Sequence, residues 1–221
     1  MAEDSVELPR WGGVTEPMTV ATNAVLAALA FTLAVRLAYP ADAQESVAAG
    51  WLAAGLLATG IAALIGALAH GTDPVRGEVL RARFWRGALY MTGLIGAATV
   101  ASVAFFAARG SIRSAILVFV VLKLVVFIVR VARQPEFSVA AADYGGALAI
   151  LLAGAAYEMF RRRAPGMAWL IAGVLVSLVA GIVQARRLAL HRHFNHNDLY
   201  HVIQMGALYA FYRGGALLVD R

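Results

Sequence analysis

The chain has 221 residues, of which 61% are hydrophobic and 14% are charged, with a net charge of +6 and a mean hydropathy of +0.73. Soluble globular domains are about 45–50% apolar and about 25% charged. The composition therefore excludes an ordinary soluble enzyme, a disordered protein and a nucleic-acid-binding domain, and it indicates an integral membrane protein. The basic residues stand in short clusters between apolar runs, as in loops that face lipid headgroups. The sequence contains no cysteine, so it offers neither disulfides nor a thiolate metal site.

Seven apolar runs approach the length of about 20 residues that a helix needs to cross a bilayer. They predict an all-α, polytopic membrane protein: a polar segment over residues 1–17, then one membrane domain over residues 18–221 that forms a bundle of seven transmembrane helices. The predicted helices lie at 18–38, 49–70, 87–108, 113–131, 139–160, 166–185 and 198–218. Too few residues remain for a soluble domain, so any chemistry must lie in or beside the bundle.

The first helix and the orientation of the chain follow from the flanking charges. Ala41-Asp42-Ala43 has the form of a signal-peptidase site. The apolar run before it is too long for a signal peptide and its leading segment is acidic, so we expect the first helix to be retained. With seven spans, ten arginines lie on the N-terminal side and eight on the opposite side. The positive-inside rule then favours a cytoplasmic N-terminus, in what we expect to be a bacterial inner membrane.

Polar residues within the predicted helices gather near one side of the membrane. Such residues are costly in lipid and mark functional sites. Because alternate helices run in opposite directions, most of them fall at the depth of the N-terminal side. These residues are Asn23, His70, Tyr90, Asp143, Tyr144, Gln184, Asp198, His201 and Gln204. The sequence therefore predicts a polar cavity that opens on the N-terminal face.

The start of the seventh helix carries the densest polar motif. At 100° per residue, Asn197, Asp198, His201 and Gln204 share one stripe of a helix. His196 precedes the predicted helix and can fold back toward that stripe. An imidazole beside a carboxylate is a common arrangement in metal sites, where the carboxylate is a ligand or orients the histidine. The alternative is that Asn197 or Asp198 only caps the helix.

Two further residues are candidates for the same site. His70 ends the second helix, with Gly66 one turn earlier leaving space beside the imidazole; alternatively it is a helix-end histidine favoured by the helix dipole. Asp143 lies just inside the fifth helix, and its alternative role is to pair with Arg130 or Arg133.

Three other residues are expected to lie outside the site. His191 and His193 are expected to be solvated loop residues. Lys123 falls in the middle of the fourth helix, where it can extend to the membrane surface or pair with a carboxylate.

Seven helices, with a histidine closing helix 2 and a histidine motif opening helix 7, resemble the superfamily of alkaline ceramidases and progestin/adipoQ receptors. That resemblance implies a membrane hydrolase in which zinc activates a water to attack a lipid amide. His70 matches the helix 2 histidine of the family, and His201 the second histidine of its helix 7 His-x-x-x-His motif. Gly66 stands where the family has serine, Asn197 stands where it has the first helix 7 histidine, and the predicted helix 3 has no aspartate.

The leading functional hypothesis is a zinc-dependent intramembrane hydrolase of a lipid amide or ester. In it His70, His196 and His201 are metal ligands, and Asp198 and Asp143 are the catalytic carboxylates that complete the shell or act as base. The alternatives are a transporter or small-ligand-binding protein without catalysis, a haem protein using His70 and His201, and a membrane scaffold. The expected partners are membrane lipids, including a lipid substrate, and no nucleic acid.

Overall fold

A computed structural model describes residues 10–39 and 46–221 of the chain. Two parts of the sequence prediction lie outside the described residues. They are residues 1–9 of the polar N-terminal segment and the sequence Ala41-Asp42-Ala43 with the form of a cleavage site.

The described residues form seven α-helices and one short hairpin, which confirms the all-α class. The helices are α1 (Pro17–Ala38), α2 (Val47–Gly71), α3 (Glu78–Ala107), α4 (Gly110–Arg133), α5 (Phe137–Arg162), α6 (Met167–Ala185) and α7 (His196–Gly215). The hairpin pairs β1 (Arg10–Trp11) with β2 (Val14–Thr15). Its two-residue turn consists of Gly12 and Gly13, both with positive φ, a backbone region that glycine adopts without steric cost.

Six of the helices are long and apolar enough to cross a membrane, namely α1 through α6. The protein is therefore a membrane-embedded helical protein. Helix α7 has 20 residues, but the first half of the helix carries the polar motif, which lowers its hydropathy.

The arrangement of the helices is a ring with one helix outside it. In order around the ring, α1, α2, α3, α5, α6 and α7 each pack against the next, and α7 closes onto α1. Helix α4 packs on the outside of α3, where the Phe127 ring lies against Gly93 so closely that a Cβ on that glycine would be 2.3 Å from the ring. The main apolar core lies inside the ring, with fully buried side chains such as Leu151, Leu170 and Val174.

Apart from the start of α3, the helix boundaries lie within three residues of the predicted ones, and two of the differences have a clear physical reason. Helix α3 begins at Glu78, not at residue 87, because the count of apolar residues finds the membrane-crossing part and misses the polar turns that precede it. Helix α7 begins at His196, not at residue 198. Asn195 caps it: the side chain of Asn195 accepts from Asn197 N and Asp198 N, and Asp198 accepts from the backbone N of Asn195 in return.

Candidate functional site

A cavity of about 150 Å³ lies inside the ring near the end where α1 and α7 begin and α2 ends. Five helices contribute to its wall: α1, α2, α3, α5 and α7. The lining side chains include Asn23, Thr59, His70, Trp85, Thr92, Tyr144, Tyr200, His201 and Gln204. The cavity therefore contains both histidines that the sequence singled out on helices 2 and 7, together with three of the other seven polar residues predicted to share their depth, Asn23, Tyr144 and Gln204.

His201 is held by a chain of polar contacts from α1. It is 8% exposed, and its Nδ1 lies 3.0 Å from the Thr22 hydroxyl. The same hydroxyl lies 3.4 Å from Oδ1 of Asp198, which is fully buried. Thr22 contacts Nδ1 of the ring. The other ring nitrogen, Nε2, has no hydrogen-bond partner among residues 10–39 and 46–221, and the ring lies in the cavity wall.

Asp198 has two roles in this arrangement. Its Oδ2 accepts a 2.7 Å hydrogen bond from the backbone N of Asn195 and so completes the cap of α7. Its Oδ1 faces Thr22 and, through it, His201. The capping alternative placed the N-cap at Asn197 or Asp198; in the structure the N-cap is Asn195, and Asp198 is the third helical residue. Capping uses one carboxylate oxygen and leaves the other directed at the histidine.

His70 also has a carboxylate behind it. Its Nδ1 lies 3.2 Å from Oε1 of Glu16, and Glu16 also lies 3.5 Å from the Arg81 guanidinium. Glu16 is 6% exposed and adopts the left-handed conformation, φ 49°, just before Pro17. Such a conformation is costly for a residue with a side chain, so the contacts of its carboxylate help to hold it.

The electrostatics around Glu16 favour its ionised form. Burial by itself would raise the pKa of the Glu16 carboxyl, but the neighbouring His70 imidazole and the Arg81 guanidinium outweigh burial and lower that pKa below its ordinary value. The carboxylate is therefore charged at neutral pH and faces the imidazole of His70.

The deep part of the cavity ends in a second polar group. Nε2 of Gln204 lies 3.5 Å from the Tyr144 hydroxyl and 3.4 Å from the Ser177 hydroxyl. Its Oε1 is buried and has no hydrogen-bond partner among the described residues. An amide end without a partner in a buried place is costly, and it offers a hydrogen bond to a bound molecule or water.

Asp143 does not join the cavity. Its carboxylate accepts a 2.7 Å hydrogen bond from the Lys123 ammonium group, and both side chains are about nine-tenths buried between α4 and α5. The alternative prediction, that Asp143 pairs with Arg130 or Arg133, is therefore wrong, because its partner is Lys123. Tyr144, the next residue, lines the cavity. Adjacent helical residues point about 100° apart, which explains why one faces inward and the other faces α4.

The remaining predicted ligands are also apart from the cavity wall. His196 is the first residue of α7, partly buried, and it is not among the side chains that line the cavity. Asn197, at the position of the family's first helix 7 histidine, accepts a 2.8 Å hydrogen bond from Gln184. His191 and His193 are exposed, as expected for loop residues. Within the part of the chain that the structure describes, no three His, Cys, Asp or Glu side chains are grouped to hold a metal ion.

Glu16, Thr22 and Tyr200 are among the residues of this site that were not proposed from the sequence. A glutamate next to a proline suggests only a helix start, and a threonine one turn into an apolar helix is unremarkable. The depth of Glu16 and Thr22 in the membrane could have indicated both residues, because α1 begins on the side of the membrane where α2 ends. Tyr200 precedes His201, and its ring packs edge-on against the imidazole with centroids 5.5 Å apart.

A comparison with known protein families assigns the chain to a family without a known function. Residues 18–220 match the family of unknown function DUF6962, and the chain belongs to that family. No curated protein and no solved structure matches the chain. The resemblance to ceramidases and progestin/adipoQ receptors remains a prediction.

Proposed function

We propose that this protein is a seven-span membrane hydrolase, in which His201 acts as general base on an ester or amide bond of a lipid held in the cavity. The observation that carries the proposal is the imidazole of His201 in the cavity wall, with Thr22 and Asp198 behind its Nδ1. In the proposed orientation the N-terminus is cytoplasmic, so the cavity opens on the cytoplasmic side of the cell membrane.

Helix α7 serves as the seventh span in this proposal. Its 20 residues have a length of about 30 Å, which matches the hydrocarbon core of a bilayer. It packs between α6 and α1 in the ring, and its polar residues Asp198, His201 and Gln204 are buried toward the interior. Polar groups that face a bundle interior lower the hydropathy of a helix without exposing charge to lipid.

The contacts of His201 suit the role of a base. The Thr22 hydroxyl lies 3.2 Å from the Thr19 carbonyl oxygen and 3.4 Å from Oδ1 of Asp198. These oxygens take its single hydrogen, so the hydroxyl accepts from the protonated Nδ1 of His201. In that tautomer the lone pair of Nε2 is directed at the cavity. The buried surroundings of the ring exclude bulk water, which strengthens the orienting contacts.

The reaction balances with the residues of this chain. Nε2 of His201 takes a proton from a water molecule as the water oxygen bonds to the carbonyl carbon of the lipid. The imidazolium then returns the proton to the leaving nitrogen or oxygen as its bond to that carbon breaks, and an acid and an amine or alcohol are released. His70, also in the cavity wall and with Glu16 behind it, orients the carbonyl group by hydrogen bonding.

The size of the cavity limits which part of a lipid enters. A cavity of about 150 Å³ is of the size that holds one benzene-sized molecule. The linkage and its immediate neighbours fit this volume, and the rest of the lipid must lie outside it. The unpartnered amide end of Gln204 at the deep end provides a hydrogen bond for a polar group next to the linkage.

Zinc, which the resemblance implies, would polarise a carbonyl or activate the water when bound. Catalytic zinc sites use three protein ligands. Here the described residues offer His70 and His201 in the cavity, while Asn197 is bonded to Gln184 and Asp143 is paired with Lys123. This set does not fit a three-ligand centre, so the proposed chemistry uses the imidazoles.

The test compares detergent-purified wild-type protein with the His201→Ala and His191→Ala variants. Each is incubated with lipids that carry a fluorescent acyl chain in amide or ester linkage, and release of the labelled fatty acid is measured, with metal content determined on the same samples. Removal of a general base lowers the rate by about 10²–10⁴-fold. His191→Ala, a change in an exposed loop histidine, should leave the rate unchanged.

Two results would overturn the proposal. One is an unchanged rate in His201→Ala. The other is binding of the labelled lipids by the wild type without any release of acid, which would favour the alternative of a ligand-binding or transport protein. Loss of activity with a chelator, together with stoichiometric metal in the wild type, would replace the imidazole base by metal chemistry.

A further inference from the structure

A second recess lies outside the ring, on the surface that faces lipid. Helix α4 packs against α3 and makes little contact with α5, which leaves a groove of about 420 Å³ between α4 and α5. The wall of the groove is mostly apolar. It includes Phe119, Leu122, Lys123, Val126, Arg130 and Asp143. None of these residues lines the cavity that contains His201.

The charges in the groove are distributed unevenly along its length. Near its middle, Lys123 and Asp143 neutralise each other through their 2.7 Å contact. Two helical turns further along α4, about 10 Å away and on the same face, Arg130 lies exposed in the last turn of the helix. No carboxylate among the described residues lies within ion-pair distance of Arg130. The groove thus carries one net positive charge, at its interfacial end.

We propose that this groove binds an anionic phospholipid of the surrounding bilayer, with its phosphate on Arg130 and an acyl chain along Phe119, Leu122 and Val126. The pattern of an apolar channel that ends in an unpaired cation at the membrane surface complements such a lipid in charge and in polarity. A zwitterionic lipid fits the apolar part equally well but gains less from the cation.

Charge also argues against a second copy of the chain as the occupant. A symmetric dimer in a membrane brings the same residues of both copies together at the same depth. Packing on this groove would therefore place two Arg130 side chains near each other, where their charges repel. A phosphate group at that position is attracted instead. The lipid site does not depend on the hydrolysis proposed above, since the groove and the cavity lie on different faces of α5.

The first test is native mass spectrometry of the full chain in detergent with added dioleoyl phosphatidylglycerol or dioleoyl phosphatidylcholine. We expect one phosphatidylglycerol to remain bound preferentially. Arg130→Gln should weaken the binding of phosphatidylglycerol by about fivefold, which is the contribution of one basic residue near a membrane surface. Arg186→Gln is the matched control, because it removes the same charge from an exposed residue at the end of α6, outside the groove. The control should keep wild-type binding.

A second pair of variants tests the apolar part of the groove without altering charge. Val126→Trp fills the groove, whereas Val125→Trp adds the same bulk on a neighbouring face of α4; both valines are more than half exposed, so either change is expected to fold. Only Val126→Trp should reduce the bound lipid. Equal binding of the two lipids by the wild type, equal effects of Arg130→Gln and Arg186→Gln, or a dimer that excludes lipid would each overturn the proposal.

Discussion

The two ends of the bundle bury polar groups in opposite ways. At the end away from the cavity, both carboxylate oxygens of Glu158 accept from the Arg221 guanidinium, with one contact at 2.6 Å. Asp220 caps the start of α2 through Val47 N and Ala48 N at 2.7 and 2.9 Å. At the cavity end, Oε1 of Gln204 is buried without a hydrogen-bond partner among the described residues.

This difference distinguishes buried polar groups that stabilise the fold from buried polar groups that are available to a ligand. A polar group that is fully paired within the protein stabilises the fold and has no capacity left for a ligand. A buried polar group that lacks a hydrogen-bond partner in the protein destabilises the fold, and it is retained where a ligand or water binds to it. The Glu158 cluster should therefore control stability, and the His201 cavity should control activity. Substitutions at the two ends of the bundle test that division.

The largest effect concerns the rate of the proposed hydrolysis when the link between Asp198 and His201 is cut. Thr22→Val keeps the shape of the side chain and removes the hydroxyl. Loss of a group that orients a catalytic histidine costs about 10–100-fold in activity, as in metal sites. We expect that loss in acyl release, with the melting temperature in detergent changed by only a few degrees. Thr22→Ser retains the hydroxyl and should restore most of the rate.

Asp198→Asn sharpens the same prediction. Asparagine can still accept from Asn195 N, so the cap of α7 should survive with little loss of stability. It loses the negative charge that faces Thr22, so the rate should fall about as far as in Thr22→Val. If Asp198→Asn is as active as the wild type while Thr22→Val is inactive, Asp198 only caps the helix and the carboxylate has no part in the reaction.

The second largest effect is on stability at the opposite end. Glu158→Gln leaves the Arg221 guanidinium, 11% exposed, without its carboxylate partner. Breaking a buried ion pair on one side costs about 3–5 kcal/mol. For a chain of this size such a loss lowers the melting temperature by about 10 °C. Differential scanning fluorimetry in detergent measures it, and acyl release below the melting temperature should stay at the wild-type rate.

Arg162→Gln is the control for that change. Arg162 also faces Glu158, but at 4.0 Å and with half of its side chain exposed, so it should contribute less than about 1 kcal/mol. Equal destabilisation by the two variants would show that charge near Glu158, not burial of the pair, controls stability. A second check is Glu158→Leu combined with Arg221→Leu, which removes both charges and should recover much of the loss.

The ion pair between α4 and α5 provides an intermediate case, since it is paired but lies beside the lipid groove. A Cβ on Gly96 of α3 would lie 2.8 Å from Oδ2 of Asp143 and 3.1 Å from Nζ of Lys123. Gly96→Ala should therefore displace the pair and destabilise the fold by about 1–3 kcal/mol, as other overpacking substitutions do. Thermal unfolding in detergent measures the change.

The matched control is Gly146→Ala on α5. A Cβ at that glycine has no neighbour within 4 Å, and alanine favours a helix over glycine by about 1 kcal/mol. Gly146→Ala should be neutral or slightly stabilising. Equal melting temperatures for the two variants would mean that the Lys123–Asp143 pair moves aside without cost.

The fold could be predicted from the sequence to the extent that apolar runs reveal helices. All seven predicted segments are helical in the described residues, and the alternation of helix direction correctly placed His70 and His201 at one depth. The start of α3 could not be found this way, because hydropathy measures the part in lipid and the helix continues nine residues beyond it.

The contacts within the site depend on information that spacing does not contain. Depth along a helix follows from counting residues, but the direction in which a side chain points depends on how each helix is rotated in the bundle. Asp143 and Tyr144 have the same depth, yet one pairs with Lys123 and the other lines the cavity. Glu16, the partner of His70, also could not be predicted from the helices, because it lies before α1 in the left-handed conformation.

The smallest effect is the pH dependence of stability that arises from Glu16. The pKa of this carboxyl is lowered in the folded protein relative to its ordinary value of 4.5, because the attraction of His70 and Arg81 outweighs the burial that raises it. A carboxyl with a lowered pKa stabilises the fold above its ordinary pKa, and this contribution disappears as the pH falls through the lowered value.

Glu16→Gln removes the charge at every pH, so its melting temperature should be below that of the wild type at pH 7 by a few degrees. That difference should shrink steadily below pH 4.5. Asp73 provides a comparison, because hydrogen bonds from the backbone N of Arg76 and Val75 also lower its pKa, but at a loop position that is not enclosed. Asp73→Asn should therefore change the melting temperature less at any pH. If the difference between wild type and Glu16→Gln grows as the pH is lowered, Glu16 is held protonated in the folded protein, and its carboxylate cannot orient His70 in the proposed site.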